Sequence, residues 1–197
     1  MRLLDLILAL CLLTLTCPLL LVVALAILID SGPPLMYRSR RIGKDGREFS
    51  HFKFRTMTPG PEIGRVFFEH ARITHVGRVL RALHLDELPE LGLVLSGQMS
   101  LVGPRPLPAS LLENLAWRPR ARVRPGLTCL AQLSLLRHGR LDKRLQLKLD
   151  NIYITRRSLR YDLRLILATL AALHTGEKAD LDPAGSADRK AFAARQA

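Results

Sequence analysis

A chain of 197 residues has room for one domain with its own core and a membrane segment beside it. Apolar residues make up 48% of it, yet the aromatics are only one Trp, three Tyr and six Phe, so leucine carries most of the apolar surface and all-β architectures are disfavoured. The formal net charge of +13 suits nucleic acid, an anionic membrane surface or phosphorylated substrates, and does not choose among them.

Residues Leu3 to Ile29 form one apolar run interrupted only by Asp5, Thr14, Thr16, Cys17 and Pro18. About 20 apolar residues cross a bilayer core, so this run is long enough to span. It is long for a signal-peptide core and has only Arg2 as a charged start, which favours a retained membrane segment over a cleaved one. Pro18, near the middle, removes one helix hydrogen bond and bends the axis. Residue physics leaves two paths open here: a kinked helix that crosses, or a helix–break–helix at Cys17-Pro18 that enters and leaves by one face. The dense basic charge at Arg38, Arg40 and Arg41 places the following domain on the cytoplasmic side. Cys11 and Cys17 lie inside the apolar run and Cys129 stands alone, a pattern of neither disulfides nor a metal site, and more at home in a reducing compartment.

Asp30-Ser31-Gly32-Pro33-Pro34 stops the segment. Asp45-Gly46 is a hairpin signal, and Glu48 to Arg55 has the partial alternation of a short strand. Thr58 to Gly64 reads as a loop, and Val66 to Leu95 as helix in pieces, with Val76, Val79, Leu80 and Leu83 on one face. Ser96-Gly97 breaks that pattern, and two proline-locked turns follow at Gly103-Pro104-Arg105-Pro106 and Arg124-Pro125-Gly126. Leu141, Leu145, Leu149 and Ile152 mark a helix with one apolar stripe, and a last helix covers about Arg160 to His174. The apolar face from Leu163 to Leu173, flanked by Arg156, Arg157, Arg160 and Arg164, suits either the headgroup layer or the core. The expected organisation is a membrane segment over 1–30, a cytoplasmic-face domain over 31–176 and a polar, flexible tail over 177–197.

Chemistry concentrates in Leu85-Asp86-Glu87-Leu88-Pro89-Glu90-Leu91, two adjacent carboxylates in an apolar and otherwise cationic stretch. Neighbours on a helix point roughly 100° apart, so one can face a reacting phosphorus while the other holds a metal or a proton. Pro89 fits a helix's first turn, which would set both acids near an N-terminus where free N–H groups favour phosphate; simple capping acids are the plainer reading. Lys53, Arg55, Arg81, Arg105 and Arg124 supply cations in order along the chain, and arginine's planar fork matches phosphate with two parallel hydrogen bonds. Walker, GxGxxG, HExxH and zinc-finger spacings are absent, so side-chain cations and a divalent ion, Mg²⁺ by its taste for carboxylate and phosphate oxygens, have to handle the charge.

At these residues the chain resembles the small monotopic phosphoglycosyl transferases, the bacterial sugar transferases, from the N-terminal segment to about Thr175. Four motifs occur in the family's order: Lys53-Phe54-Arg55-Thr56-Met57, Leu85 to Leu91, Gly97-Gln98-Met99-Ser100-Leu101-Val102-Gly103-Pro104-Arg105-Pro106, and Val123-Arg124-Pro125-Gly126-Leu127-Thr128. The resemblance implies a predominantly helical α+β fold, a single small domain anchored by a re-entrant N-terminal segment that breaks at Cys17 and Pro18, with amphipathic interfacial helices. It implies ping-pong catalysis, in which Asp86 attacks the β-phosphorus of a UDP-sugar, UMP leaves, and undecaprenyl phosphate takes the phosphosugar. Glu87 would be the acidic partner, both acids would hold Mg²⁺, and Lys53, Arg55, Arg81, Arg105, Arg124, Gln132 and Arg137 would bind phosphates and substrate. Membrane lipid is an expected partner and nucleic acid is not; a basic nucleic-acid module would need more stacking aromatics. Three departures stand out. Cys17 replaces the usual Ser before the membrane proline. Cys129-Leu130-Ala131-Gln132 replaces Gly-Trp-Ala-Gln. The Asn-Gly-Arg that follows is lost, leaving Arg137 or Arg140 as its substitute and the sugar unspecified.

Overall fold

The computed structural model describes residues 1–58, 60, 72–108 and 115–175. The expected loop and helix start over 58–71 fall partly outside these residues, and the polar tail over 177–197 falls wholly outside.

Helix α1 runs from Arg2 to Ser31 and is the one helix among the described residues long and apolar enough to cross a membrane. The expected break does not interrupt it: Cys17 and Pro18 both belong to the helical span, and both are exposed. A proline in a helix removes one donor and is accommodated by a bend without the chain leaving helical geometry. Thr14 and Thr16 spend their hydroxyls on the carbonyls of Leu10 and Leu12, at 2.9 and 2.7 Å, which satisfies them in an apolar stretch.

Both ends of α1 dock on the same body. At the start, Arg2 Nη2 donates to the Leu95 carbonyl at 3.2 Å, and Asp5 accepts from Ser100 Oγ at 2.6 Å and from the Leu101 N–H at 3.3 Å. At the end, Asp30 Oδ2 accepts from the Val76 N–H at 3.0 Å, and Arg55 Nη2 donates to the carbonyls of Ser31 at 2.9 Å and Gly32 at 2.5 Å. That guanidinium sits where the helix dipole is negative and three to four carbonyls lack helical partners. Ala9 enters one apolar core with Leu91, Val94, Met99 and Leu165, while Val23 and Ile27 enter a second with Phe54 and Leu80. Between them, Thr14, Leu15, Cys17, Pro18 and Leu19 are exposed.

Strands β1 (Met36–Ile42) and β2 (Glu48–Phe54) form the expected hairpin, in register from Met36 opposite Phe54 to Ile42 opposite Glu48. Asp45 at φ 59 and Gly46 at φ 72 supply the left-handed pair that turns it. Helix α2 (His75–Ala82) packs Val76 and Leu80 on the second core, but Val79 and Leu83 face outward, so the expected four-residue face divides. A 3-10 turn, Leu85–Glu90, leads into the short α3 (Leu91–Leu95).

Two strands that periodicity did not suggest, β3 (Ser100–Val102) and β4 (Gly126–Thr128), pair in parallel and bring the two proline turns together. The Gly103 N–H donates to the Thr128 carbonyl and the Gly126 N–H to the Pro104 carbonyl, both at 3.0 Å. A Cβ on Gly126 would run into the backbone nitrogen of Gly103, so this approach requires glycine.

Three helices close the body: α4 (Leu130–His138), α5 (Lys143–Arg156) and α6 (Leu159–Thr175). The buried face of α5 is Asp150 and Tyr153, while Leu145 of the expected leucine stripe is exposed. Helix α6 buries Asp162, Leu165 and Thr169, and turns Leu159, Leu163, Leu167, Leu170 and Leu173 outward. It therefore both packs in the core and carries an exposed leucine row. Among the described residues the result is a mostly helical α+β body with two small two-stranded sheets.

Candidate active site

The carboxylates come from the 85–90 turn. His84, just before it, adopts φ 54, a left-handed conformation uncommon outside glycine, and so reverses the chain from α2 into the turn. Asp86 and Glu87 occupy its first turn, as the placement of Pro89 suggested. The element is six residues of 3-10 helix, too short to offer the dipole of a full helix, so charge at the site is balanced by side chains.

Asp86 is 5% exposed and Glu87 9%. Lys53 Nζ, from the end of β2, lies 3.8 Å from Asp86 Oδ2, and Arg105 pairs directly with Glu87 Oε1. Burial pushes the Asp86 carboxyl above the ordinary range, and the Lys53 charge only partly offsets it. Burial acts on Glu87 in the same direction, but the charge and hydrogen bond of Arg105 outweigh it and hold Glu87 below the ordinary value. One carboxyl is thus tuned upward and its neighbour downward. The Arg105 side chain is 44% exposed, so its ion pair is screened and remains open to exchange for another anion.

A cavity of about 450 Å³ opens beside these groups, within the range of small-molecule sites. Lys53, Arg81, Arg105 and Arg55 line it, together with His51 and Glu90. Arg81 Nε donates to Thr56 Oγ1 at 2.8 Å and acts electrostatically on Asp86. Gln132, at the start of α4, accepts from Arg105 Nη1 at 3.3 Å. Cys129 caps that helix, its Sγ accepting from the Gln132 N–H at 3.2 Å, so the residue standing in place of glycine has a local structural task.

Six of the expected residues therefore converge: Asp86, Glu87, Lys53, Arg81, Arg105 and Gln132. Arg55 lines the same cavity, but its Nη2 holds the end of α1 instead of reaching into the site. Arg124 points elsewhere: its Nε donates to the Gly97 carbonyl at 2.9 Å, and it lines a second cavity of about 750 Å³ with Lys44 and Arg47. Arg137, exposed in the last turn of α4, and Arg140, exposed beyond it, line neither cavity.

Several groups escaped sequence reasoning. Arg120 and Asp150 form a buried ion pair at 3.1 Å, with Arg120 stacked 5.1 Å from the Trp117 ring. Arg120 Nη2 donates to the Arg105 carbonyl at 2.6 Å, so this pair fixes the loop that carries Arg105. Nothing local marks it, because its partners lie 30 residues apart. His51 and Glu90 did leave a signal: alternation along β2 puts His51 on the same face as Lys53, and Glu90 belongs to the acidic motif.

Among the described residues, no group of three or more His, Cys, Asp or Glu side chains is arranged to hold a metal. The donor set at Asp86 and Glu87 suits Mg²⁺ in one form only, with two neighbouring carboxylates and the remaining positions left to phosphate and water.

Comparison with known proteins settles the family. The family described as bacterial sugar transferase matches residues 1–176. This chain belongs to it. A UDP-glucose:undecaprenyl-phosphate glucose-1-phosphate transferase of Caulobacter vibrioides is 41% identical over 189 residues, covering 90% of this chain and 71% of the relative. The exopolysaccharide production protein ExoY of Sinorhizobium fredii is 36% identical over 191 residues, covering 86% and 83%. A UDP-N-acetylgalactosamine-undecaprenyl-phosphate N-acetylgalactosaminephosphotransferase of Aeromonas hydrophila is 36% identical over 171 residues, covering 81% of this chain and 40% of the relative. The chain thus spans most of the first two family members and less than half of the third. The sugars named for the first and third differ, so family membership leaves the donor sugar open.

Proposed function

We propose that this chain moves a sugar-1-phosphate from a UDP-sugar to undecaprenyl phosphate, releasing UMP, through a phosphosugar held on Asp86. This would be the first membrane step in assembling a polysaccharide or glycoconjugate. The observation that carries the reading is the buried Asp86–Glu87 pair, met by Lys53 and Arg105 at a cationic cavity beside an apolar helix with both ends docked on one body.

In the first half-reaction an Asp86 oxygen bonds to the β-phosphorus and the phosphorus–oxygen bond to UMP breaks. Lys53 offsets the carboxylate charge before the donor arrives and turns to the donor phosphate once it binds. Arg81 and Arg105 take diphosphate oxygens, where charge grows in the transition state. Glu87, kept ionised, holds Arg105 in the site. In the second half-reaction an oxygen of the acceptor phosphate attacks the same phosphorus, and the Asp86 carboxylate leaves. Mg²⁺, when bound, would neutralise diphosphate charge, and Asp86 and Glu87 are the residues that would hold it.

The acceptor is confined to the bilayer and the donor to water, so the site has to work at the boundary. In this reading α1 dips into the membrane and returns to the cytoplasmic face. Support comes from Arg2, Asp5 and Asp30, which tie both of its ends to one body while its apolar middle is exposed. The exposed leucine row of α6 would lie among the headgroups.

The test is UMP release when the detergent-purified protein, Mg²⁺ and undecaprenyl phosphate meet a panel of UDP-sugars. UMP with one donor, and a phosphosugar recovered on Asp86 when the acceptor is withheld, are expected. Transfer without any phosphosugar-enzyme would refute the covalent route.

A further inference from the structure

The covalent cycle contains one proton that Asp86, Glu87 and the arginines do not handle. Asp86 attacks as a carboxylate and UMP leaves as a phosphate anion, so the first half-reaction needs no base. The acceptor is a phosphate monoester whose second ionisation falls near pH 6, so close to neutrality part of it arrives still carrying a proton.

A second acid–base pair lies in the wall of the same cavity. His51 Nε2, on β2, is 2.9 Å from Glu90 Oε1 in the 85–90 turn, and both side chains are buried. Both residues line the cavity with Lys53, Arg81 and Arg105. The other imidazole nitrogen, Nδ1, is buried and has no hydrogen-bond partner, and Glu90 Oε1 has no aligned hydrogen bond either, so its 2.9 Å approach to Nε2 is an electrostatic contact. A carboxylate beside Nε2 favours the tautomer with its proton there, which leaves Nδ1 with a free lone pair. An orphaned buried nitrogen costs free energy unless something uses it. Glu87 and Arg105 act electrostatically on Glu90, and the charged side chains that share the cavity wall with the pair are Arg38, Arg41, Lys53, Arg55, Arg72, Arg81 and Arg105. Burial and the nearby Glu87 charge push the Glu90 carboxyl upward, while His51 opposes them, as expected of an acid whose main partner is that imidazole.

We infer that His51 is the proton acceptor for the lipid phosphate in the second half-reaction, with Glu90 as the residue that positions it. This rests on the function proposed above. The acceptor's P–O–H proton passes to His51 Nδ1, the freed oxygen bonds to the phosphorus on Asp86, and the bond from that phosphorus to the Asp86 oxygen breaks. The proton leaves His51 to solvent after the diphosphate product departs, so the cycle closes with no other reactant.

The two half-reactions separate the idea from its foundation. UMP release with the acceptor withheld reads the first, and transfer from the trapped phosphosugar-enzyme reads the second, each measured from pH 5.5 to 8.5. For His51→Gln, UMP release should keep the parent protein's pH profile, whatever its absolute rate. Transfer should fall about fourfold at pH 5.5, where only about a quarter of the acceptor is doubly ionised, and match the parent within about twofold by pH 8, where nearly all of it is. Its acid limb therefore moves to higher pH. Glu90→Gln, which keeps the volume and an acceptor oxygen, should shift that limb the same way by a smaller amount, and carries the test if His51→Gln does not fold. A uniform loss across pH in both half-reactions would assign His51 to packing and overturn the inference, as would an unmoved acid limb. A parent protein that releases no UMP from any donor would overturn the proposed function and this inference with it.

Discussion

The ion pair beneath the Arg105 loop poses a quantitative question: does Arg120 repay the cost of burying the Asp150 charge? Asp150 is 1% exposed, and its pKa is pushed from 3.8 up to about 6, burial acting against the weaker pull of Arg120. Burial lowers the pKa of Arg120 as well, so both partners lean toward neutrality. A folded-state pKa above the unfolded value contributes stability that is present below pH 3.8 and lost as pH rises to about 6. A shift of about two units corresponds to roughly 3 kcal/mol. Asp150→Asn cannot ionise, so it should escape that loss. Compared with the parent protein in detergent micelles, the variant should gain about 2.5 kcal/mol of relative unfolding free energy between pH 4 and pH 7. Removing one member of a buried ion pair usually destabilises by about 3–5 kcal/mol at neutral pH, which is the opposite sign. Denaturation curves at four or five pH values decide between them. A variant that loses ground steadily from pH 4 to pH 7 would refute the reasoning and make the ion pair a net stabiliser.

Asp86→Asn should lower transfer on the order of a thousandfold or more, with the protein still recovered in the membrane fraction; wild-type turnover in that variant would remove Asp86 from the nucleophile's role. Arg105→Ala leaves Glu87 without its cation, so transfer should drop at least about tenfold, and added guanidinium should restore part of it. Gly126→Ala would force β4 away from Gly103 and cost about 3 kcal/mol or more, read as a lower melting temperature, with activity falling because Pro104 and Arg105 move too.

The reach of sequence reasoning differed between elements for physical reasons. The membrane-length helix, the Asp45-Gly46 hairpin and the last helix rest on length, period and turn chemistry, which are local, and each was legible. The β3–β4 pair was not, because three-residue strands show no period and a parallel pairing joins segments more than twenty residues apart. The leucines of α5 misled for a related reason. Periodicity identifies an apolar face but cannot reveal that a neighbouring Arg120 makes Asp150 the better residue to bury. At Pro18 residue physics left a kinked helix and a break both open and the family resemblance favoured the break, while the helix absorbs the missing donor and continues.

The family was already written in the residue order: an apolar run, a Lys-Phe-Arg strand end, an acidic pair and two proline turns. The tertiary structure decided which cations belong to the site. Lys53 and Arg105 reach the acids, Arg55 is held at the carbonyls of α1, and Arg124 turns to another cavity. Arginines look alike along a chain, because charge is a property of the residue. Which anion each one meets depends on elements that meet only on folding, and a separation of a few ångströms determines whether the Coulomb energy is large or screened away.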